Sequence, residues 1–293
     1  MTAQLFFDDL QRSGDEITQR GYQLAGGLTD LGLTEGDVVA VMLRNRPEWI
    51  DTIMACRTAG LYYCPINWHF KGEEAAYLLQ DCGARVLIIE ADLLERIGSA
   101  VPDGLTLRVI NGDDPARDYE RWLQQQAPYS GPVRPPRAMM AYTSGTTGRP
   151  KGIRRLPPTP EQLELLKELS AKAWGVSAGV RTLMPAPLYH SAPNSVTQQT
   201  LIQGERLVLM PRFDPEQVLA LIEKHRITTV YLVPIMYVRL LRLPEEIRNR
   251  YDLSSVHYVA STGSPCAPEI KRAMLDWWGD VIYETYASSE TGM

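Results

Sequence analysis

The segment Ala141 to Arg155, AYTSGTTGRPKGIRR, brings together Thr143, Ser144, Thr146 and Thr147 with Gly145, Gly148 and Gly152, ahead of a basic run. Side chains this small cannot build a core, but their hydroxyls and the backbone N–H groups of a glycine-rich loop can converge on one anion. Phosphate is the anion such a loop suits. The common P-loop spacing does not apply, because the fifth position after Gly145 is Pro150, where that motif needs a glycine followed by Lys-Ser/Thr. Three later stretches have a similar character: PLYHSAP from Pro187, STGSP from Ser261 and ASSETG from Ala287. They are small, polar or turn-forming, and His190 and Glu290 within them are side chains able to meet phosphate, metal or carboxylate.

Such loops need a frame to hold them. Apolar runs at Val38 (VVAVML), Leu61 (LYYCPI) and Arg85 (RVLIIE) alternate with helix-like stretches around Trp49, Ile53 and Met54 and over EEAAYLLQDC. A capping box at Thr159 to Gln162 opens a helix carrying Leu163, Leu166 and Leu169. The alternation resumes with ERLVLM, a helix capped by Asp214, TTVYLV, a helix from Met236 to Leu241, VHYVAS, a helix from Pro268 to Trp278, and DVIYETY. This predicts an α/β fold of two packed subdomains with mainly parallel sheets flanked by helices. The expected divisions are 37–170 and 171–293, with 1–36 packing on the second. Proline- and glycine-rich pieces at 127–136 and 156–160 read as connections. Open parallel sheets bind ligands beyond the carboxyl ends of their strands, so the four polar stretches are expected to line one cleft.

Composition narrows the function classes. The chain has 293 residues and a net charge of −5, and its basic residues are scattered, which argues against nucleic acid as the main partner. Cys56, Cys64, Cys82 and Cys266 show no paired spacing and do not cluster with His69, His190, His225 or His257, so neither zinc nor a disulfide framework is indicated. The opening MTAQLFFDDLQRSGDE is acidic where a signal peptide is basic, and no apolar run approaches a membrane-spanning length. A cytoplasmic location is expected.

The segment YTSGTTGRPKG resembles the phosphate loop of the adenylate-forming enzymes, which include acyl-CoA synthetases, luciferases and non-ribosomal adenylation domains. In the same order come Tyr189-His190, similar to the family's aromatic-histidine motif, then Gly263-Ser264-Pro265, similar to its adenine-contacting turn. Tyr286-Ala287-Ser288-Ser289-Glu290 resembles its Tyr-Gly-x-Thr-Glu motif, with Ala287 in place of Gly and Ser289 in place of Thr. Residues Gly36 to Asn67 also look like the family's first subdomain. Across 1–293 the chain resembles the N-terminal portion of an AMP-binding domain.

The resemblance implies an acyl- or aryl-CoA ligase that uses ATP, Mg²⁺ and coenzyme A on a small carboxylic acid, fatty, alicyclic or aromatic. Thr143, Ser144, Gly145, Thr146, Thr147, Gly148 and Lys151 would bind the β- and γ-phosphates, Glu290 would hold Mg²⁺, and Ser289 would meet the α-phosphate. His190 would position the reacting groups. Gly263, Ser264, Pro265, Tyr286, Ala287 and Ser288 would form the adenine and acyl pocket, with Met236, Tyr237 and Ser191 on the acyl side. Family members continue into a β-barrel and a mobile lid domain, which are expected to be absent here. A homodimer is left open, as is a nucleotide-binding relative without turnover. Gly175-Val176-Ser177-Ala178-Gly179 matches the G-x-S-x-G nucleophile elbow of α/β-hydrolases, with Asp214, His225 and His257 coming later in the chain. That elbow must sit between a strand and a helix, whereas Ser177 comes after a predicted helix and precedes the strand-like RTLMP.

Overall fold

The structure, a computed structural model, describes residues 3–143 and 149–286. In chain order, β1 (Gln4–Phe7) and β2 (Leu10–Arg12) form a hairpin, and β3 (Val38–Met42), β4 (Tyr62–Pro65), β5 (Ala84–Glu90) and β6 (Thr106–Ile110) form a four-stranded sheet. The short strands β7 (Ala141–Thr143) and β8 (Lys151–Ile153) pair only with each other. Then β9 (Arg181–Met184), β10 (Arg206–Leu209), β11 (Thr229–Leu232), β12 (Tyr258–Ser261) and β13 (Ile282–Glu284) complete a seven-stranded sheet of order β13-β12-β11-β9-β10-β1-β2. All its pairings are parallel except β1 with β2. The chain divides into two compact units, one of residues 15–159 with 189–191, the other of the remaining residues.

The four-stranded unit has the sheet order β4-β3-β5-β6, parallel throughout. Every residue of β3 is buried, which is why its sequence is a continuous apolar run instead of an alternating one. The Pro47–Ala59 helix starts with proline in its first turn and stops at Gly60, whose φ of 68° is the left-handed conformation that glycine adopts without a Cβ clash. Leu78 and Leu79 of the Gly72–Asp81 helix pack with Val38, Ala40, Met42, Leu87 and Ile89.

Residues 15–36, expected with the other unit, lie here instead. The reason is close packing through the glycines of the Gly14–Asp30 helix. A Cβ on Gly21 would meet Met54 Cβ at 2.4 Å, one on Gly27 would meet the Trp122 ring at 2.6 Å, and one on Gly26 would meet the Ala127 carbonyl at 2.1 Å. On the same helix Arg20 bonds both Asp51 (2.9 Å) and Glu120 (2.8 Å), while Tyr119 Oη donates to Asp51 at 3.2 Å.

In the seven-stranded unit, β1 extends the sheet beside β10, from Gln4 opposite Arg206 to Phe7 opposite Leu209. Asp214 caps the Pro215–His225 helix by accepting from the Gln217 N–H at 2.8 Å, as expected from sequence. The Pro160–Trp174 helix buries Ser170 and Trp174 but leaves Leu165, Leu166 and Leu169 exposed. Ser177 comes after that helix and precedes β9, the reverse of a nucleophile elbow.

The glycine packing yields a test with an inverted sign. In an exposed helix Gly→Ala stabilises by up to about 1 kcal/mol, but Gly26→Ala drives a methyl group into the backbone and should lower stability by about 2 kcal/mol in urea unfolding. A variant as stable as the parent would show that the 127–129 segment moves aside freely.

Candidate functional site

Within the four-stranded unit, the β7–β8 hairpin carries the ends of the predicted phosphate loop. Its antiparallel register sets Thr143 directly opposite Lys151, with Tyr142 opposite Gly152 and Ala141 opposite Ile153. Thr143 is half-buried and Lys151 exposed, so a loop hydroxyl and a cation share the mouth of the hairpin. Ser144, Gly145, Thr146, Thr147 and Gly148 lie outside the described residues.

The hairpin is held by side chains. Tyr77 Oη donates to the Pro150 carbonyl at 2.9 Å, Tyr142 Oη to Asp81 at 2.5 Å, and Tyr62 Oη to the Arg155 carbonyl at 2.8 Å. Arg154 donates to the Cys82 carbonyl at 2.9 Å, and its guanidinium also lies 5.7 Å from the Tyr62 ring centre. None of these anchors was singled out from sequence. The signal was present as tyrosines at 62, 77 and 142, yet nothing in their spacing says that they meet one hairpin.

Tyr189, His190 and Ser191 group with this same unit. The His190 ring lies 4.3 Å from that of Tyr189, tilted by 46°. His190 is exposed at its surface but crowded by the surrounding chain, and this desolvation pulls its pKa below the ordinary 6.5. Its neutral form, with one nitrogen free to accept, is therefore favoured at neutral pH.

In the seven-stranded unit the remaining described candidates gather beyond the carboxyl ends of β11, β12 and β13. The Pro234–Leu241 helix begins two residues after β11, burying Met236 and Tyr237. Gly263, at φ 95°, turns the chain out of β12 into Ser264 and Pro265, all three exposed. The β12–β13 ladder runs past the strands: the Thr285 N–H donates to the Ser261 carbonyl at 3.0 Å and Thr262 Oγ1 to the Thr285 carbonyl at 2.8 Å. These bonds fix the chain that leads into Tyr286 beside the glycine turn. The Tyr286 ring is fully exposed. Tyr237 Oη and Ser261 Oγ are both buried and face each other, and burial pushes the Tyr237 pKa up while the Ser261 hydroxyl beside it works the other way. Ala287, Ser288, Ser289 and Glu290 lie outside the described residues. Among the described residues no three His, Cys, Asp or Glu side chains are grouped to hold a metal, and no helix is long and apolar enough to cross a membrane.

Two α/β units with mainly parallel sheets, a hairpin that sets Thr143 opposite Lys151 and polar turns at strand ends define an α/β protein with candidate ligand-binding edges. A family profile described as AMP-binding enzyme matches residues 2–293, and the chain belongs to that family. Feruloyl-CoA synthase of an Amycolatopsis species is 33% identical over 265 residues, covering 89% of this chain and 51% of that protein. Indoleacetate–CoA ligase of Aromatoleum aromaticum is 32% identical, covering 92% of this chain and 53% of that protein. The chain thus spans about half the length of these relatives. Among solved structures, the anthranilate CoA ligase AuaEII in complex with anthranoyl-AMP superposes with a TM-score of 0.84 at 25% identity, over 99% of this chain and 56% of that one. The N-terminal domain of FACL13 from Mycobacterium tuberculosis gives 0.83 at 22% identity, over 99% and 73%.

The crowding of His190 gives a direct prediction. A proton-exchange titration followed by NMR should place its midpoint below 6.5, leaving it uncharged at pH 7; a midpoint at or above 6.5 would show an imidazole that water or an acid reaches.

Proposed function

We propose that this chain carries the nucleotide-handling part of an AMP-forming acyl- or aryl-CoA ligase. The observation that carries the reading is the hairpin that sets Thr143 opposite Lys151 across residues 144–148, in a chain matched to the AMP-binding family over 2–293. Relatives named for feruloyl-CoA and indoleacetate–CoA synthesis support an acid of aromatic or extended apolar character.

A carboxylate oxygen of the acid attacks the α-phosphorus of ATP, the bond to the bridging oxygen breaks, and pyrophosphate leaves. The CoA thiol, having lost its proton, then attacks the acyl carbon and AMP departs. The protein's task is to offset the repulsion between these anions and to fix their geometry. Thr143, Ser144, Thr146 and Thr147 donate to the β- and γ-phosphates, Gly145 and Gly148 bring backbone N–H groups close, and Lys151 adds a point charge. Gly263 to Pro265 and Tyr286 to Ser288 form the adenine side; Met236, Tyr237 and Ser191 line the acyl side. His190, neutral at pH 7, positions the reacting groups. Ser289 bonds the α-phosphate. Mg²⁺ is usually bound by one or two carboxylates plus substrate phosphates instead of an all-protein cage, and Glu290 is the carboxylate that would hold it. When bound, Mg²⁺ supplies neutralising charge at the phosphates. Four free cysteines, three of them buried, suit a reducing cytoplasm.

Pyrophosphate release measured against a panel of carboxylic acids tests the reading as a whole. A chain that takes up ATP and Mg²⁺ but releases neither pyrophosphate nor AMP with any acid would be a nucleotide-binding relative instead. Lys151→Ala should weaken ATP about tenfold, the loss of one charge-assisted contact, and leave AMP within about twofold because AMP lacks the outer phosphates. Equal weakening of both nucleotides removes Lys151 from the phosphate site. Glu290→Gln should raise the Mg²⁺ concentration needed for ATP uptake while the thermal midpoint stays put. An unchanged metal requirement would make Glu290 a surface carboxylate.

A further inference from the structure

The phosphate hairpin has a positional problem. Its strands are three residues long and pair with neither large sheet, and an isolated two-stranded hairpin is marginally stable at best. Among the described residues, backbone pairing to the four-stranded sheet holds only the foot of the incoming stem, where the Met140 N–H donates to the Tyr63 carbonyl at 2.9 Å. Side chains must complete the placement of Thr143 and Lys151, and two of the tethers come from one helix. Tyr77 and Asp81 of the Gly72–Asp81 helix are four residues apart and so share a face. Tyr77 Oη reaches the Pro150 carbonyl at 2.9 Å on the outgoing stem, and Asp81 Oδ2 receives the Tyr142 hydroxyl at 2.5 Å on the incoming stem. Each anchor point adjoins a phosphate-site residue: Pro150 precedes Lys151, and Tyr142 precedes Thr143.

From this we infer that the Gly72–Asp81 helix is a two-point clamp for the phosphate loop, with Tyr77, Asp81 and Tyr142 as positioning residues for ATP; the inference rests on the reading of residues 143–151 as the phosphate site.

Local packing is arranged around the clamp. Gly152 leaves the space that the Tyr142 ring occupies: a Cβ there would meet Tyr142 Cζ at 2.9 Å, its Oη at 3.0 Å and Met140 Cε at 2.3 Å. Burial, together with the hydrogen bond to Asp81, raises the pKa of Tyr142, so the hydroxyl stays protonated and donating through neutral pH. On the other stem the Arg149 guanidinium lies 5.6 Å from the Tyr77 ring centre, within cation–π range. Displacement of a binding group by an ångström or so costs far more in a multi-point anion site than on a free surface, because several donors lose their geometry together. Two hydrogen bonds on opposite stems suppress that displacement in a way that one could not.

The test uses the full chain with Tyr77→Phe, Tyr142→Phe, Asp81→Ala and the Tyr142→Phe/Asp81→Ala pair, alanine being chosen because asparagine would keep an acceptor oxygen. Hydrogen exchange of residues 141–153 reports the clamp without reference to any ligand, and calorimetry with ATP and with AMP reports its consequence. In each single variant the hairpin amides should exchange about fivefold faster, the effect of one net hydrogen bond, while β3 and β5 are unchanged. ATP should bind about fivefold more weakly and AMP within about twofold of the parent. The double variant should be no worse than its singles, since both remove the same bond. Unchanged hairpin exchange overturns the clamp, and so does an equal loss of both nucleotides accompanied by a lower thermal midpoint, which would mark a general packing role. Faster exchange in a protein whose ATP affinity is indifferent to Lys151 leaves the clamp standing and overturns the phosphate assignment, so the two failures are distinguishable.

Discussion

Parallel strands cannot be joined by a tight turn, so every connection must cross over to the far end, and the turns leaving the carboxyl ends of the strands collect along one edge. In the seven-stranded sheet that constraint places the ends of β11, β12 and β13 side by side, because the three are adjacent and parallel. The buried Met236 and Tyr237, the exposed Gly263 turn and Tyr286 are neighbours for this reason, although up to fifty residues separate them in the chain. The same constraint acts in the four-stranded sheet. There the ends of β3, β4 and β5 bring together Arg44, Glu90 and Trp68, with Arg44 2.8 Å from Glu90 and 5.6 Å from the Trp68 ring centre. One rule thus supplies an edge rich in small polar turns in one unit and an edge of paired charges in the other.

The β7–β8 hairpin stands outside this rule. It belongs to no parallel ladder, and beyond one backbone bond from Met140 to the Tyr63 carbonyl its placement relies on tyrosine hydroxyls and arginine guanidinium groups that contribute on the order of 1 kcal/mol each. Several weak tethers allow local opening at a cost well below global unfolding, whereas a hairpin built into the ladder would open only with the sheet. On the proposed reading, a loop that admits and releases a polyanion is better served by the first arrangement. The glycine at 152 fits this economy, since it lets an aromatic ring lie across the hairpin and reach a helix on the far side.

Elements dictated by local pattern were legible in the sequence. β3, β5, β10, β11 and β12 appear where apolar runs predict them, the Pro268–Trp278 helix has the expected bounds, and Asp214 caps its helix. Ser177 could be dismissed as a nucleophile from the order of elements alone. What was not legible depends on contacts between distant segments. β1 joins β10 across some two hundred residues, and nothing in QLFF names its neighbour. The Gly14–Asp30 helix sits with the four-stranded sheet because Gly21, Gly26 and Gly27 permit backbone-close packing, and a glycine in a helix reads locally only as a weak helix former. Of the site, the candidates Thr143 and Lys151 were found by residue type, and their opposition across a hairpin comes from register. Tyr77, Asp81 and Tyr142 escaped because their roles are geometric: a tyrosine on an amphipathic helix looks like any half-buried tyrosine until its hydroxyl meets a carbonyl.

Tethers are only as firm as what they are tied to. Tyr62 Oη donates to the Arg155 carbonyl beyond β8 and accepts from Arg137 at 3.1 Å, and Arg137 in turn donates to the Gly60 carbonyl at 2.9 Å. Gly60 ends the Pro47–Ala59 helix, all but one of whose residues are buried. That helix is itself pinned by Asp51, whose side chain is 1% exposed and bonded by Arg20 and Tyr119. Removing one member of such a buried ionic group strands the other's charge and costs about 3–5 kcal/mol, several times the strength of any single tether. The hierarchy is therefore graded. A frame fixed by buried charge and close-packed glycines carries a cap at Gly60, the cap carries Arg137 and Tyr62, and these carry the end of the hairpin. Thermal motion should be absorbed at the weakest level, the hairpin, while the edge from which it hangs stays in place.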